Sequence, residues 1–138
     1  MTALVAERNT SERVGTIEQH PIKANVKIFK GSLCVIDAGY LAPGRSATGL
    51  LVAGRAEDTI DNTVGAAGAL TVPVKRGKFR WGNSAAGDLI AQANVGALCY
   101  IVDDQTVALT DGTGTRSSAG KIVGVDAAGV WVESKLVD

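Results

Sequence analysis

Short runs of β-branched and aliphatic residues, each closed by glycine, aspartate or asparagine, succeed one another from residue 26 almost to the end of the chain. Val26 and Ile28 alternate with Lys27 and Phe29, then Gly31-Ser32 leads into the apolar stretch 33–36, a pattern that predicts a strand, a turn and a paired strand. Residues 48–53 predict a buried strand and 55–60 its more exposed continuation. The link 61–68, rich in glycine and alanine, reads as a surface loop. Residues 70–74 form a further strand. Its Pro73 cannot donate to a ladder, so the expected place is a sheet edge or a bulge.

Two hairpins stand out in the last third. One passes from Ile101-Val102 through Asp103-Asp104-Gln105 to Thr106-Val107-Ala108, the other from residues 122–125 through Asp126-Ala127-Ala128-Gly129 to Val130-Trp131-Val132. Asp at the first and Gly at the fourth position of the second link suit a type I turn followed by a left-handed residue. Residues 90–96 hold the one candidate helix, a single turn stopped by Gly96. The sum is an all-β chain: a small β-sandwich or barrel of roughly eight to ten short strands with at most one short helix. No repeat of fixed period is visible. Residues 1–25 are polar and weakly patterned, with His20-Pro21 forced to be extended, and read as an N-terminal arm ahead of a single β domain at 26–138.

Composition narrows the function. Fourteen Lys and Arg balance fourteen Asp and Glu, and neither half of the chain carries an excess of one sign. A dedicated binder of nucleic acid or anionic membrane normally has a lopsided field. Glu7, Arg8, Glu12 and Arg13 interrupt any apolar stretch near the start, so neither a secretory signal nor a membrane span is expected, and the expected compartment is cytoplasm-like. Cys34 and Cys99 each sit in an apolar run, where a free thiol packs as a small hydrophobe.

Candidate chemistry is sparse. His20 is the only histidine; it precedes a proline, and no serine occupies a G-x-S-x-G elbow. No C-x-x-C pair or phosphate-cradling loop occurs, and Gly112-Thr113-Gly114 reads as a turn. Asp103, Asp104 and Asp111 lack the ligand spacing of a calcium loop, and Glu57, Asp58 and Asp61 read as an exposed acidic strip. No catalytic residue, metal or cofactor is expected.

The segment from Lys75 to Trp81 interleaves Lys75, Arg76, Lys78 and Arg80 with Phe79 and Trp81. Cations alternating with aromatics are what a single-stranded nucleic-acid groove uses for phosphates and base stacking. Strand alternation instead points Phe79 and Trp81 inward and Lys78 and Arg80 outward, which leaves a basic patch suited to an acidic protein surface.

The polar arm through Val14-Gly15-Thr16-Ile17-Glu18-Gln19, the run Ile28-Phe29-Lys30-Gly31-Ser32-Leu33 with Asp37-Ala38-Gly39-Tyr40, and the second half carry a likeness. In that half the bearers are Ala93-Asn94-Val95-Gly96, Tyr100-Ile101-Val102-Asp103-Asp104, Thr106-Val107 and Ala119-Gly120-Lys121-Ile122-Val123-Gly124-Val125-Asp126. Across residues 14–133 the chain resembles the capsid cement, or decoration, proteins of tailed double-stranded DNA bacteriophages. The resemblance implies an all-β structural virion protein on the outer capsid surface, commonly a homotrimer at threefold and quasi-threefold positions, bracing the expanded head. Its partners would be the major capsid protein and itself, with no nucleic acid and no membrane. The expected contact residues are Val5, Glu7, Arg8, Arg13, Val14 and Ile17 of the arm, with Lys75, Arg76, Lys78 and Arg80. The alternatives are a small β-barrel that binds single-stranded nucleic acid through residues 75–81, and a virion-surface glycan-binding module.

Overall fold

The computed structural model describes residues 2–9 and 15–134. The chain is all-β, with twelve strands among the described residues: β1 (Ile17–Pro21), β2 (Val26–Ile28), β3 (Leu33–Asp37), β4 (Tyr40–Pro43), β5 (Leu51–Ala56), β6 (Ile60–Asn62), β7 (Thr71–Lys75), β8 (Lys78–Trp81), β9 (Leu98–Ile101), β10 (Val107–Ala108), β11 (Ser118–Asp126) and β12 (Gly129–Glu133). The helical turn expected near Gly96 is a 3₁₀ turn, Gln92–Asn94, and a second one covers Ala86–Asp88.

The strands form a first sheet in the order β1-β7-β5-β3-β4, a second in the order β10-β9-β11-β12-β8, and a two-stranded cap of β2 and β6. All strand pairs are antiparallel. In β3 the consecutive residues Leu33, Cys34 and Val35 are all buried, the signature of a strand covered on both faces. Leu33 and Val35, with Ala42, Leu50 and Val52, pack on the interior of the second sheet. Cys34, with Leu41, Ala53, Val72 and Val74, packs with Ile22 and Ile28 on the other side. Two cores therefore share one sheet, giving three layers.

The two large sheets are built alike. In each, the first strand lies at one edge, a hairpin follows at the far edge (β3–β4; β9–β10), the next strand returns to the centre (β5; β11), and the last inserts beside the first (β7; β12). Leu33-Cys34-Val35-Ile36 corresponds to Leu98-Cys99-Tyr100-Ile101, Ala53-Gly54-Arg55 to Ala119-Gly120-Lys121, and Val72-Pro73-Val74-Lys75 to Val130-Trp131-Val132-Glu133. Both centre strands carry a register shift beside their glycine. Gly54 (φ +141°) and Gly120 (φ +136°) each lie where an added Cβ would meet a backbone oxygen at 2.2 Å, that of Lys75 in one sheet and Glu133 in the other. No side chain fits there. One parallel bridge draws the outer strands of each sheet together, Ile22 to Leu41 in the first and Gly82 to Thr106 in the second. A repeat thus exists without a fixed period, because residues 57–70, which include β6, separate β5 from β7, whereas two turn residues separate β11 from β12.

Three further expectations change. β2 and β3 do not pair with each other: β2 pairs with β6 and β3 with β4 and β5. Local alternation sets which side of a strand is apolar, not which partner it finds. The stretch 48–60 is not one continuous strand, since β5 ends at Ala56, 1 % exposed, and β6 begins at Ile60 in the cap. Strand β7 is not an edge, because β1 from the supposed arm pairs along it from Ile17↔Lys75 to Pro21↔Thr71. Pro73 is accommodated where β5 stops. There the Glu57 N–H donates to the Pro73 carbonyl at 2.9 Å, and the reciprocal bond is the one proline cannot make. The body consequently starts near Thr16, whose carbonyl accepts from Arg76 N–H, and Ile22 is fully buried. Both predicted hairpins form, and Asp126 closes the second by accepting from the Ala128 and Gly129 amides.

Substituting Gly54 or Gly120 by alanine should destabilise the protein by about 2–4 kcal/mol, since strain and a backbone collision combine. Urea unfolding measures it, with Gly87→Ala, which meets open space, as the mild control.

Acid should also lower the stability of the chain in two stages. Burial lowers the His20 pKa below 6.5, so the unfolded chain takes up that proton first and stability declines as pH falls through 6.5 and below. Asp37 (bonded by Lys23 and Arg45), Asp61 (by Thr63), Asp88 (by Thr110) and Asp126 (by the Ala128 amide) are all held below 3.8, and the stability they add is lost at lower pH still. Asp104, raised by burial and by Asp103, acts with the opposite sign and softens the second stage. Urea midpoints from pH 7 to pH 3 should show both declines.

Candidate docking surface

The segment 75–81 does not form one patch, because it spans two sheets. Lys75 ends β7 and lies in register with Ile17 and Arg55, while Arg76 turns the chain. Lys78 and Arg80 lie on β8 at the edge of the second sheet and are exposed, whereas Phe79 and Trp81 point into the core with their rings edge to face at 6.1 Å. The expected alternation holds. The Arg55 guanidinium lies 4.5 Å over the Phe79 ring and bonds Glu57 at 2.8 Å, which ties the first sheet to β8.

The aromatic that does share a face with the cations comes from the neighbouring strand. Trp131 on β12 pairs in register with Arg80, whose guanidinium lies 5.6 Å from the indole ring. Trp131 Nε1 donates to Asp126 Oδ2 at 3.1 Å, and Arg80 reaches the same oxygen at 3.7 Å. The indole is thereby held from two sides yet stays 39 % exposed. One row along the sheet reads Leu98, Lys121, Glu133, Lys78 in register across four strands. Leu98, Val123 and Val95 are exposed as well. The outer face of the second sheet thus carries Trp131, Leu98 and Val123 together with Lys78, Arg80, Lys121 and Glu133, with Asp126 at the turn beside Trp131.

The likeness of the two sheets sharpens this reading. Leu33, Val35 and Arg55 occupy, in the first sheet, the positions that Leu98, Tyr100 and Lys121 occupy in the second. In the first sheet that face is an internal docking surface, packed on the second sheet's core. In the second sheet the same face is open, and its apolar content remains partly exposed, as at a non-obligate interface with a polar rim.

In the arm, Thr2 to Asn9 are exposed throughout, with Val5 at 99 %, and Glu7 and Arg8 belong to this stretch. Arg13 and Val14 lie outside the described residues. Ile17 opens β1 and is half exposed. The structure therefore brings Lys78 and Arg80 together with Trp131 and Lys121, which sequence reasoning missed as surface residues. The signal available was the alternation of Val130 and Val132 around Trp131, which puts the indole on the face opposite two core valines.

His20 lies in β1 opposite Val72, between the charges of Glu18 and Arg76. Cys34 and Cys99 are free and buried, and burial pushes their thiols up to about 11 and about 12. Asp103 caps its own turn by accepting from the Gln105 amide. Among the described residues no three His, Cys, Asp or Glu side chains group as metal ligands, and no helix is long and apolar enough to cross a membrane. Comparison with family models, with curated proteins and with solved structures yields no match.

With both thiols so far from ionisation at neutral pH, the native protein should leave Cys34 and Cys99 unmodified by a thiol-reactive disulfide at pH 8, and both should react in denaturant. Rapid labelling of either in the folded state would contradict their burial.

Proposed function

We propose that this chain is a structural protein of a tailed-phage head, a cement protein that docks on the outer capsid surface as a homotrimer and braces the expanded shell. The observation that carries the reading is the outer face of the second sheet, where a partly exposed Trp131 is held by Arg80 and Asp126 beside the row of Lys121, Glu133 and Lys78. A large aromatic surrounded by charged, solvated residues has the anatomy of an interface hot spot. Its cations fit an acidic protein surface. The sequence resemblance names that surface as the major capsid protein, and the exposed stretch 2–9 adds a second, independent point of attachment to shell or neighbour. Three subunits joined in one trimer gain avidity that single weak contacts lack. Preference for the expanded shell needs only that the face bind one lattice state better than the other.

A second reading draws on the same face. Trp131 supplies the exposed aromatic that Phe79 and Trp81 do not, so single-stranded nucleic acid could stack there among three cations. Against it, Asp126 and Glu133 interrupt the cations, the Arg80 guanidinium stands at the indole, and the chain as a whole is neutral.

Replacing Trp131 by alanine should lower binding to expanded heads at least tenfold, as loss of a hot-spot anchor does. The same change should leave the urea midpoint nearly unaltered. Removing residues 2–14 should leave a folded trimer with reduced occupancy, because the deletion spares β1 and the bond from Arg76 N–H to the Thr16 carbonyl. Co-sedimentation with purified heads reads occupancy, and light scattering reads the trimer. A monomer that ignores heads but binds oligonucleotides with a steep salt dependence would replace the first reading with the second.

A further inference from the structure

A second site lies on the first sheet, beside the seam where its outer strands meet. Lys23, Val26, Ala42, Pro43, Gly44 and Arg45 line a pocket of about 370 Å³. Val26 and Pro43, both partly exposed, supply an apolar floor, and the two cations supply the rim. Both cations hang on fixed backbone. The Lys23 amide donates to the Leu41 carbonyl at 2.9 Å and its carbonyl accepts from Asn62 Nδ2 at 3.0 Å, while Gly44, next to Arg45, donates to Leu33 at 2.9 Å. Gly44 admits no side chain, since a Cβ would come within 2.8 Å of Leu33 Cδ2 and 3.0 Å of the Asp103 carbonyl.

The two cations share one counter-charge. Lys23 Nζ and Arg45 Nη2 both donate to the same atom, Asp37 Oδ2, at 2.6 and 2.9 Å. One carboxylate between two cations leaves a net positive charge, two further donors on the ammonium and four on the guanidinium. Their side chains are 41 % and 48 % exposed, so these donors reach solvent at the pocket rim. A guanidinium in this setting takes a carboxylate in a two-pronged, planar fashion.

We propose that this pocket binds an acidic segment of a protein partner, one carboxylate side chain lodged between Lys23 and Arg45 with a small aliphatic neighbour on the Val26 and Pro43 floor. Charge complementarity selects the carboxylate, and the apolar floor selects a peptide over a bare anion. The site is separate from the outer face of the second sheet and does not depend on what that face binds. Asp37 sets its strength by competing for the same donors.

The test is an NMR titration of the whole protein with acetyl-Val-Asp-Val-amide, acetyl-Val-Asn-Val-amide and inorganic phosphate. The Asp peptide should shift the amides of Lys23, Val26, Ala42, Gly44 and Arg45 saturably, and the Asn peptide should bind about tenfold more weakly or worse. Arg45→Gln should weaken the Asp peptide about tenfold, and Asp37→Asn should tighten it, because the internal competitor is gone. Opposite signs for these two variants cannot come from damage to the fold alone. Absence of saturable shifts with the Asp peptide, equal binding of the Asn peptide, or phosphate saturating the same amides more tightly than the peptide would each overturn the proposal.

Discussion

Burial of the first sheet on both faces is the constraint on which the rest of the molecule depends. β3 and β5 send alternate side chains into two different cores, so the two-stranded cap and the second sheet both rest on them. Small residues make this possible. Ala42, Ala53 and Ala56 let layers approach where bulkier side chains would hold them apart, and Gly54 and Gly120 let the neighbouring backbone pass at the bulges. The glycine and alanine content is therefore not a sign of looseness: it is what a three-layer body of this length needs.

The alternation of apolar and polar residues made the strand content legible, and with it the hairpins at residues 101–107 and 122–130, the inward Phe79 and Trp81, and the burial of both cysteines. Partner choice was not legible. Nothing in residues 26–36 distinguishes a hairpin from two strands that enter different sheets, and nothing in Pro73 tells whether a strand from the arm will cover its open side. The duplicated architecture escaped for a related reason. Its echoes, Leu-Cys-x-Ile and Ala-Gly followed by a cation, are short, and unequal links destroy the spacing that would reveal them. Of the candidate site, sequence supplied Lys78 and Arg80; Trp131 and Lys121 came only with the register of β8, β12 and β11.

Duplication also explains why one face of the molecule is available. The outer face of the first unit packs on the second unit's core, whereas among the described residues the same face of the second unit stays partly exposed. What remains there is a surface of the same layout with polar residues substituted in part, Arg116 and Ser118 standing where Leu50 and Val52 stand in the first unit. Such a surface keeps an anchored, partly exposed indole among charged side chains. The proposed role in bracing a shell asks for little beyond this: a stiff body, a face with one strong anchor, and an exposed leading segment.

The two cores stand or fall together through the strands they share. Hydrogen–deuterium exchange of the isolated protein measures this strand by strand. The amides of β3, β5, β9 and β11 should share one protection level, equal to the free energy of global unfolding. If the second sheet keeps its protection under conditions where β3 and β5 exchange freely, the cores are independent and the claim is wrong.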